Sequence, residues 1–118
     1  TRFAYSKAHE WSCRQEEFTK RAGFVLMATL AVHDKNADDS KFIEFLSVIQ
    51  KEAYDERNYV KKAVNWALRQ IGKRNAKLNK YALRTAENTM KADSRTAKWI
   101  GSNAITELKS DAIKKRLM

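Results

Sequence analysis

A chain of 118 residues, 43% hydrophobic and 32% charged, is sized for one compact domain or part of one, and is too apolar for a disordered tail. The absence of Pro, with three Gly and one Cys, excludes a turn-rich β-sandwich, a Walker loop, a GxGxxG nucleotide turn, a disulfide framework and a multi-cysteine zinc site. A net charge of +10 favours a polyanionic partner, nucleic acid before an anionic membrane, and no apolar run approaches the ~18 residues of a membrane span.

Every apolar pattern in the chain has a helical period. Thr1, in place of an initiator Met, points to a piece of a longer or processed chain, and no secretory leader pattern opens it. Residues 1–11 are expected to be helical. Ser12 followed by Gln15 reads as a capping box that opens a helix over residues 13–32. Asp39 or Ser40 is expected to cap the next, in which Phe42, Ile43, Leu46 and Ile49 recur at spacings of three and four. Asp55 precedes a third, whose buried stripe is Val60, Val64, Ala67, Leu68 and Ile71, with Gly72 and Asn75 as C-terminal signals. A more polar helix over residues 77–91 turns Leu78, Ala82 and Met90 inward. Asp93 or Ser94 starts another, with Ala97, Ile100, Ala104, Ile105 and Leu108 inward, and a short helix over residues 111–117 closes the chain. Connections are short, and no linker divides the chain.

The chain is also similar to itself. Phe18-Thr19-Lys20-Arg21-Ala22 aligns with Tyr59-Val60-Lys61-Lys62-Ala63 at an offset of 41, and Trp66-Ala67-Leu68 with Asn103-Ala104-Ile105 at an offset of 37. Offsets near 40 with two helices per unit are the mark of HEAT or armadillo-type repeats. The expected fold is therefore an all-α superhelix of about three helix pairs, stacked because one pair cannot bury its own apolar face. Its second helices would line a concave surface. The alternative is an ordinary helical bundle.

Charge is unevenly distributed. From Asp34 to Glu56 seven acids face three bases, whereas from Arg57 to Arg84 there are nine cations and no acid. Solvated helix faces usually mix signs, so this run points to one basic wall, either well solvated or with an anionic partner. On the third pattern Lys62, Trp66, Arg69 and Lys73 follow one another by four, three and four and share a face away from the buried stripe. One reading has Trp66 packed sideways on the neighbouring repeat, with Arg69 stacked on it. The other has Lys62 and Lys73 on phosphates while Trp66 offers its π-face to a sugar or base. Arg21, with Lys20, aligns with Lys62 and either extends the basic rim or pairs with Glu17. Trp11 and Trp99 have apolar neighbours and are expected in the core or between repeats. His9, His33 and Cys13 do not form a metal-ligand set, and no Ser-His-Asp arrangement or acid pair suggests an ordinary hydrolase.

The run Tyr59-Val60-Lys61-Lys62-Ala63-Val64-Asn65-Trp66-Ala67-Leu68-Arg69-Gln70-Ile71-Gly72-Lys73-Arg74-Asn75 resembles the most distinctive segment of the DNA alkylation repair family, the AlkD-like glycosylases built of HEAT-like repeats. Trp11-Ser12 and Phe18-Thr19-Lys20-Arg21-Ala22-Gly23-Phe24 resemble its preceding repeat. The resemblance covers nearly the whole chain and is strongest from Trp11 to Asn75. It implies the C-terminal half of a protein about twice as long, cytoplasmic and nucleoid-associated. It further implies excision of N3- and N7-alkylated purines from duplex DNA with the lesion left stacked, unlike most glycosylases. In that family two Trp and one Asp lie against the lesion's deoxyribose and stabilise its developing positive charge. By motif, Trp66 matches one such tryptophan, Arg69 and Lys73 match residues on the DNA backbone, and Arg21 matches the arginine of the earlier repeat. Lys62 joins them as a phosphate contact. The family's Asp and second Trp have no counterpart here, and neither Asp34 nor Asp55 occupies their motif, so the resemblance implies half a catalytic site. No metal, organic cofactor or membrane is implied, and oligomeric state is left open. A non-catalytic nucleic-acid-binding module and a scaffold for an acidic protein remain the competing readings.

Overall fold

The computed structural model describes residues 2–118, so Thr1 lies outside the described residues. Seven helices follow one another: α1 (Arg2–Ser12), α2 (Glu17–His33), α3 (Asp39–Glu52), α4 (Asn58–Gly72), α5 (Ala76–Met90), α6 (Arg95–Leu108) and α7 (Asp111–Arg116). No strand occurs among the described residues, and the chain is an α-α superhelix.

Cap chemistry sets the boundaries, and two helix starts differ from expectation. Ser12 does not open α2. It is buried and its hydroxyl donates back to the His9 carbonyl at 3.0 Å, which closes α1. The cap of α2 is Glu16, whose carboxylate accepts from the Thr19 N–H at 2.7 Å, so α2 starts four residues later than residue 13. At α3 the cap is Asp38, one position before Asp39. Ser94 and Ser110 cap α6 and α7 through their hydroxyls.

Cross-helix contacts define the arrangement. Tyr5 donates to Asp34 at 3.0 Å, Asn75 donates to Asp39 at 2.9 Å, and Asn79 donates to the Leu108 carbonyl at 3.3 Å. These contacts link α1 with the end of α2, the start of α3 with the cap of α5 just past the end of α4, and the start of α5 with the end of α6, so each successive pair is antiparallel. Between pairs the order is parallel. Lys61 lies by Trp99, Asn65 bonds the Ile100 carbonyl, and Lys73 meets Glu107, with both numbers rising together. The result is two rows, α1-α3-α5 and α2-α4-α6, with principal extents of 39 × 35 × 18 Å. The short dimension is that of two helix layers.

The interface between the rows is apolar. Phe24, Met27, Phe42, Phe45, Ile49 and Val60 are fully buried near one end, and Leu68, Ile71, Leu78, Ile100 and Leu108 near the other. Gly101 lets α6 lie on α5, because a Cβ there would come within 2.5 Å of the Ala86 carbonyl oxygen. Gly72 has no positive φ and is no left-handed cap; it makes room for the Leu108 side chain and Ala82.

Candidate nucleic-acid interface

The inner residues of α4 leave one strip of the helix uncovered, and Lys62, Trp66, Arg69 and Lys73 all stand on it. Lys62 is exposed, while Trp66, Arg69 and Lys73 are half-buried. Trp66 packs against the core cluster. With the Gln70 amide turned to suit its neighbours, its oxygen accepts from the indole N–H at 3.1 Å and from the Lys73 ammonium at 3.3 Å. The indole is thereby fixed at its polar edge and left partly open, neither sealed in the core nor free.

Arg69 does not stack on Trp66. Its Nε donates to Asn65 Oδ1 at 2.8 Å and its Nη1 to Glu107 Oε1 at 3.0 Å. Lys73 Nζ reaches Glu107 Oε2 at 3.1 Å. The cation run of α4 and α5 therefore does have an acidic counterpart, supplied from α6. Partial burial pushes the Glu107 carboxyl up, but hydrogen bonds from Arg69 and Lys73 outweigh this and hold it below its usual range. Two cations on one carboxylate leave a net positive charge facing solvent.

Arg21 stands on α2 at the position equivalent to Lys62. It makes no ion pair with Glu17; its guanidinium lies 5.8 Å from the Tyr59 ring centroid. Tyr59 in turn lies 6.3 Å from Phe18, and both rings are more than half exposed. Lys20 is a correction to the basic rim. It is buried, with its ammonium 2.7 Å from Glu52 and 3.0 Å from Asp55. Of the two places expected for Trp99, it does not take the core. It is 42% exposed, with the Lys61 ammonium 5.6 Å from its ring centroid, a contact between neighbouring helix pairs. Trp11 is half-buried beside a shallow cavity shared with Phe18, Thr19 and Ala22.

Arg57 and Arg74, two more of the nine cations, are structural. Arg57 grips Asp55 through Nε and Nη2 at 3.0 and 2.7 Å and donates to the Gln15 carbonyl. Arg74 donates to the Ala31 and Ala37 carbonyls and lies 4.3 Å from the Phe42 ring centroid. Asp34 is engaged by Tyr5 and Asp55 by Lys20 and Arg57, so neither stands by Trp66 as an available acid. No group of three or more potential metal ligands occurs among the described residues, and no helix there is long and apolar enough to cross a membrane.

What the α2-α4-α6 row presents is a surface of mixed function: exposed cations (Arg21, Lys62), cations shared with one carboxylate (Arg69, Lys73) and an indole held between them. Cations at this spacing suit the phosphates of a nucleic-acid backbone, and an aromatic face suits a sugar or base. Sequence reasoning missed Glu107, Asn65 and Gln70. A signal existed: the offset of 37 aligns Gln70 with Glu107, and Asn65 precedes Arg69 by one helical turn.

Among known proteins, a family model described as DNA alkylation repair enzyme matches residues 3–99. No curated protein and no solved structure matches the chain.

Proposed function

Given that the chain belongs to the DNA alkylation repair enzyme family and has a role in DNA repair, we propose that the α2-α4-α6 row is a duplex DNA surface serving excision of cationic N3- and N7-alkylated purines. The row would form the hollow side of a stack of HEAT-like repeats, and the chain would be the C-terminal half of the intact protein. The observation that carries this reading is the half-buried Trp66 indole flanked on one helix face by Lys62, Arg69 and Lys73. Lys62 and Arg21 would take phosphates directly. Arg69 and Lys73 would hold the strand on either side of the indole.

Trp66 would lie against the deoxyribose of the lesion. Departure of an alkylated purine leaves positive charge on that sugar, and an indole face stabilises such charge as the bond breaks. A lesion that already carries a positive charge is a good leaving group, so it need not be flipped into a pocket. The family's carboxylate and second tryptophan would come from residues upstream of this chain, which alone is expected to bind DNA weakly and excise little.

The test is release of N7-methylguanine from duplex DNA by the intact protein. Trp66→Ala should abolish most of it while leaving binding within a fewfold, whereas unchanged excision would contradict the assignment. One observation favours a second reading, a non-catalytic DNA-binding module: the carboxylate that reaches this face, Glu107, is already committed to Arg69 and Lys73. An intact protein that binds duplex DNA but releases no base would establish that reading.

A further inference from the structure

Glu107 sits in the last turn of α6 with its side chain about one-third exposed, and each carboxylate oxygen serves a different cation of α4. The arrangement is built from behind as well. Asn65 is buried; its oxygen accepts from Arg69 Nε at 2.8 Å and its amide donates to the Ile100 carbonyl at 3.2 Å. The guanidinium is thus held from both ends, by an amide anchored to α6 and by a carboxylate on α6. A carboxylate that spans a guanidinium and an ammonium offers them the same kind of oxygens that a backbone phosphate would.

Resting on the reading of this face as a DNA surface, we propose that Glu107 is an internal phosphate surrogate: it holds Arg69 and Lys73 in place in the free protein and gives them up to a DNA phosphate on binding. Two consequences follow from electrostatics. A carboxylate and a phosphate on the same two cations repel, so Glu107 limits affinity. Cations already neutralised by Glu107 also contribute less to the salt dependence of binding. The partial exposure of Glu107 lets water take over its oxygens once the cations leave.

The experiment uses fluorescence anisotropy with an unmodified duplex at several salt concentrations. It compares the 118-residue chain with Glu107→Gln, with Arg69→Ala/Lys73→Ala, with all three substitutions together, and with Glu87→Gln. Glu87 is an exposed acid on α5, in the other row, and controls for net charge. Glu107→Gln should bind about tenfold more tightly and steepen the log–log salt slope by about 1. Glu87→Gln should change affinity about twofold or less, and the gain from Glu107→Gln should vanish in the Arg69→Ala/Lys73→Ala background. Equal or weaker binding by a folded Glu107→Gln would overturn the proposal and leave Glu107 a merely structural partner. A double variant that binds like the parent would also overturn it by taking Arg69 and Lys73 off the DNA, whereas failure of the DNA face itself would show as binding that Arg21→Ala and Lys62→Ala leave unchanged as well, so the two failures are distinguishable.

Discussion

Two clusters of charge in this molecule use the same side-chain types for opposite ends. Lys20, Glu52, Asp55 and Arg57 join α2, the end of α3 and the start of α4. Two acids meet two bases, and Lys20 is almost fully buried. Arg69, Lys73 and Glu107 join α4 to α6 with two bases on one acid, all partly open to solvent. The first cluster is balanced and centred on a buried ammonium, with Arg57 at its open edge, and serves cohesion. The second keeps a residual positive charge at the surface, where an anion can still compete for it. The difference lies in stoichiometry, and not in the density of Lys and Arg along the chain: a cation matched one to one by acids is structural, and a pair sharing one acid keeps charge for a ligand.

Breaking the balanced cluster should have the largest effect. Lys20→Met leaves Glu52 without its cation in a half-buried site and should cost about 3 kcal/mol, lowering Tm by about 10 °C or more. DNA affinity, measured well below that melting point, should stay within about twofold. The open cluster should behave inversely, with Glu107→Gln costing under about 1 kcal/mol while changing DNA binding.

Acid separates the clusters further. Hydrogen bonds from Arg57, then from Lys20, outweigh burial and hold the Asp55 carboxyl far below its usual range. A depressed folded-state pKa contributes stability that is present above the unfolded value of ~3.9 and lost as pH falls below it. Melting temperature should therefore be nearly flat from pH 7 to about 5 and fall steeply below about 4. Asp55→Asn should lower the neutral plateau and flatten that acid limb, and Glu107→Gln should flatten it much less.

The smallest expected effects belong to the unpaired cations. Lys62→Ala and Arg21→Ala should each leave Tm within about 2 °C and reduce the salt slope of DNA binding by about 1. A change in stability without a change in slope would move either residue to the structural side of the comparison.

Much of this arrangement was legible in the sequence because helical periodicity reports the buried face directly. The stripe of Val60, Val64, Ala67, Leu68 and Ile71 required Lys62, Trp66, Arg69 and Lys73 to lie elsewhere, and they do. The offset of 41 was equally informative: Phe18 and Tyr59, at matching positions, lie 6.3 Å apart on adjacent helices. Ser12 misled because a serine hydroxyl can bond forward as an N-cap or backward to a carbonyl, and sequence does not choose between them. Lys20 and Arg21 are neighbours with opposite fates because one helical step of 100° carried Lys20 toward Glu52 and Asp55. Glu107 showed only through the offset of 37, for a related reason. Its partners lie 34 and 38 residues away, and local charge counting sees no further than a turn or two.

The most direct test of the DNA surface is the salt dependence of duplex binding by this chain and by Arg21→Ala/Lys62→Ala/Arg69→Ala/Lys73→Ala. With ~6 phosphates engaged, the parent should show a log–log slope near −5, and the fourfold variant, still folded, should lose about 3 of it. A slope untouched by all four substitutions would place the DNA on some other face and contradict the account.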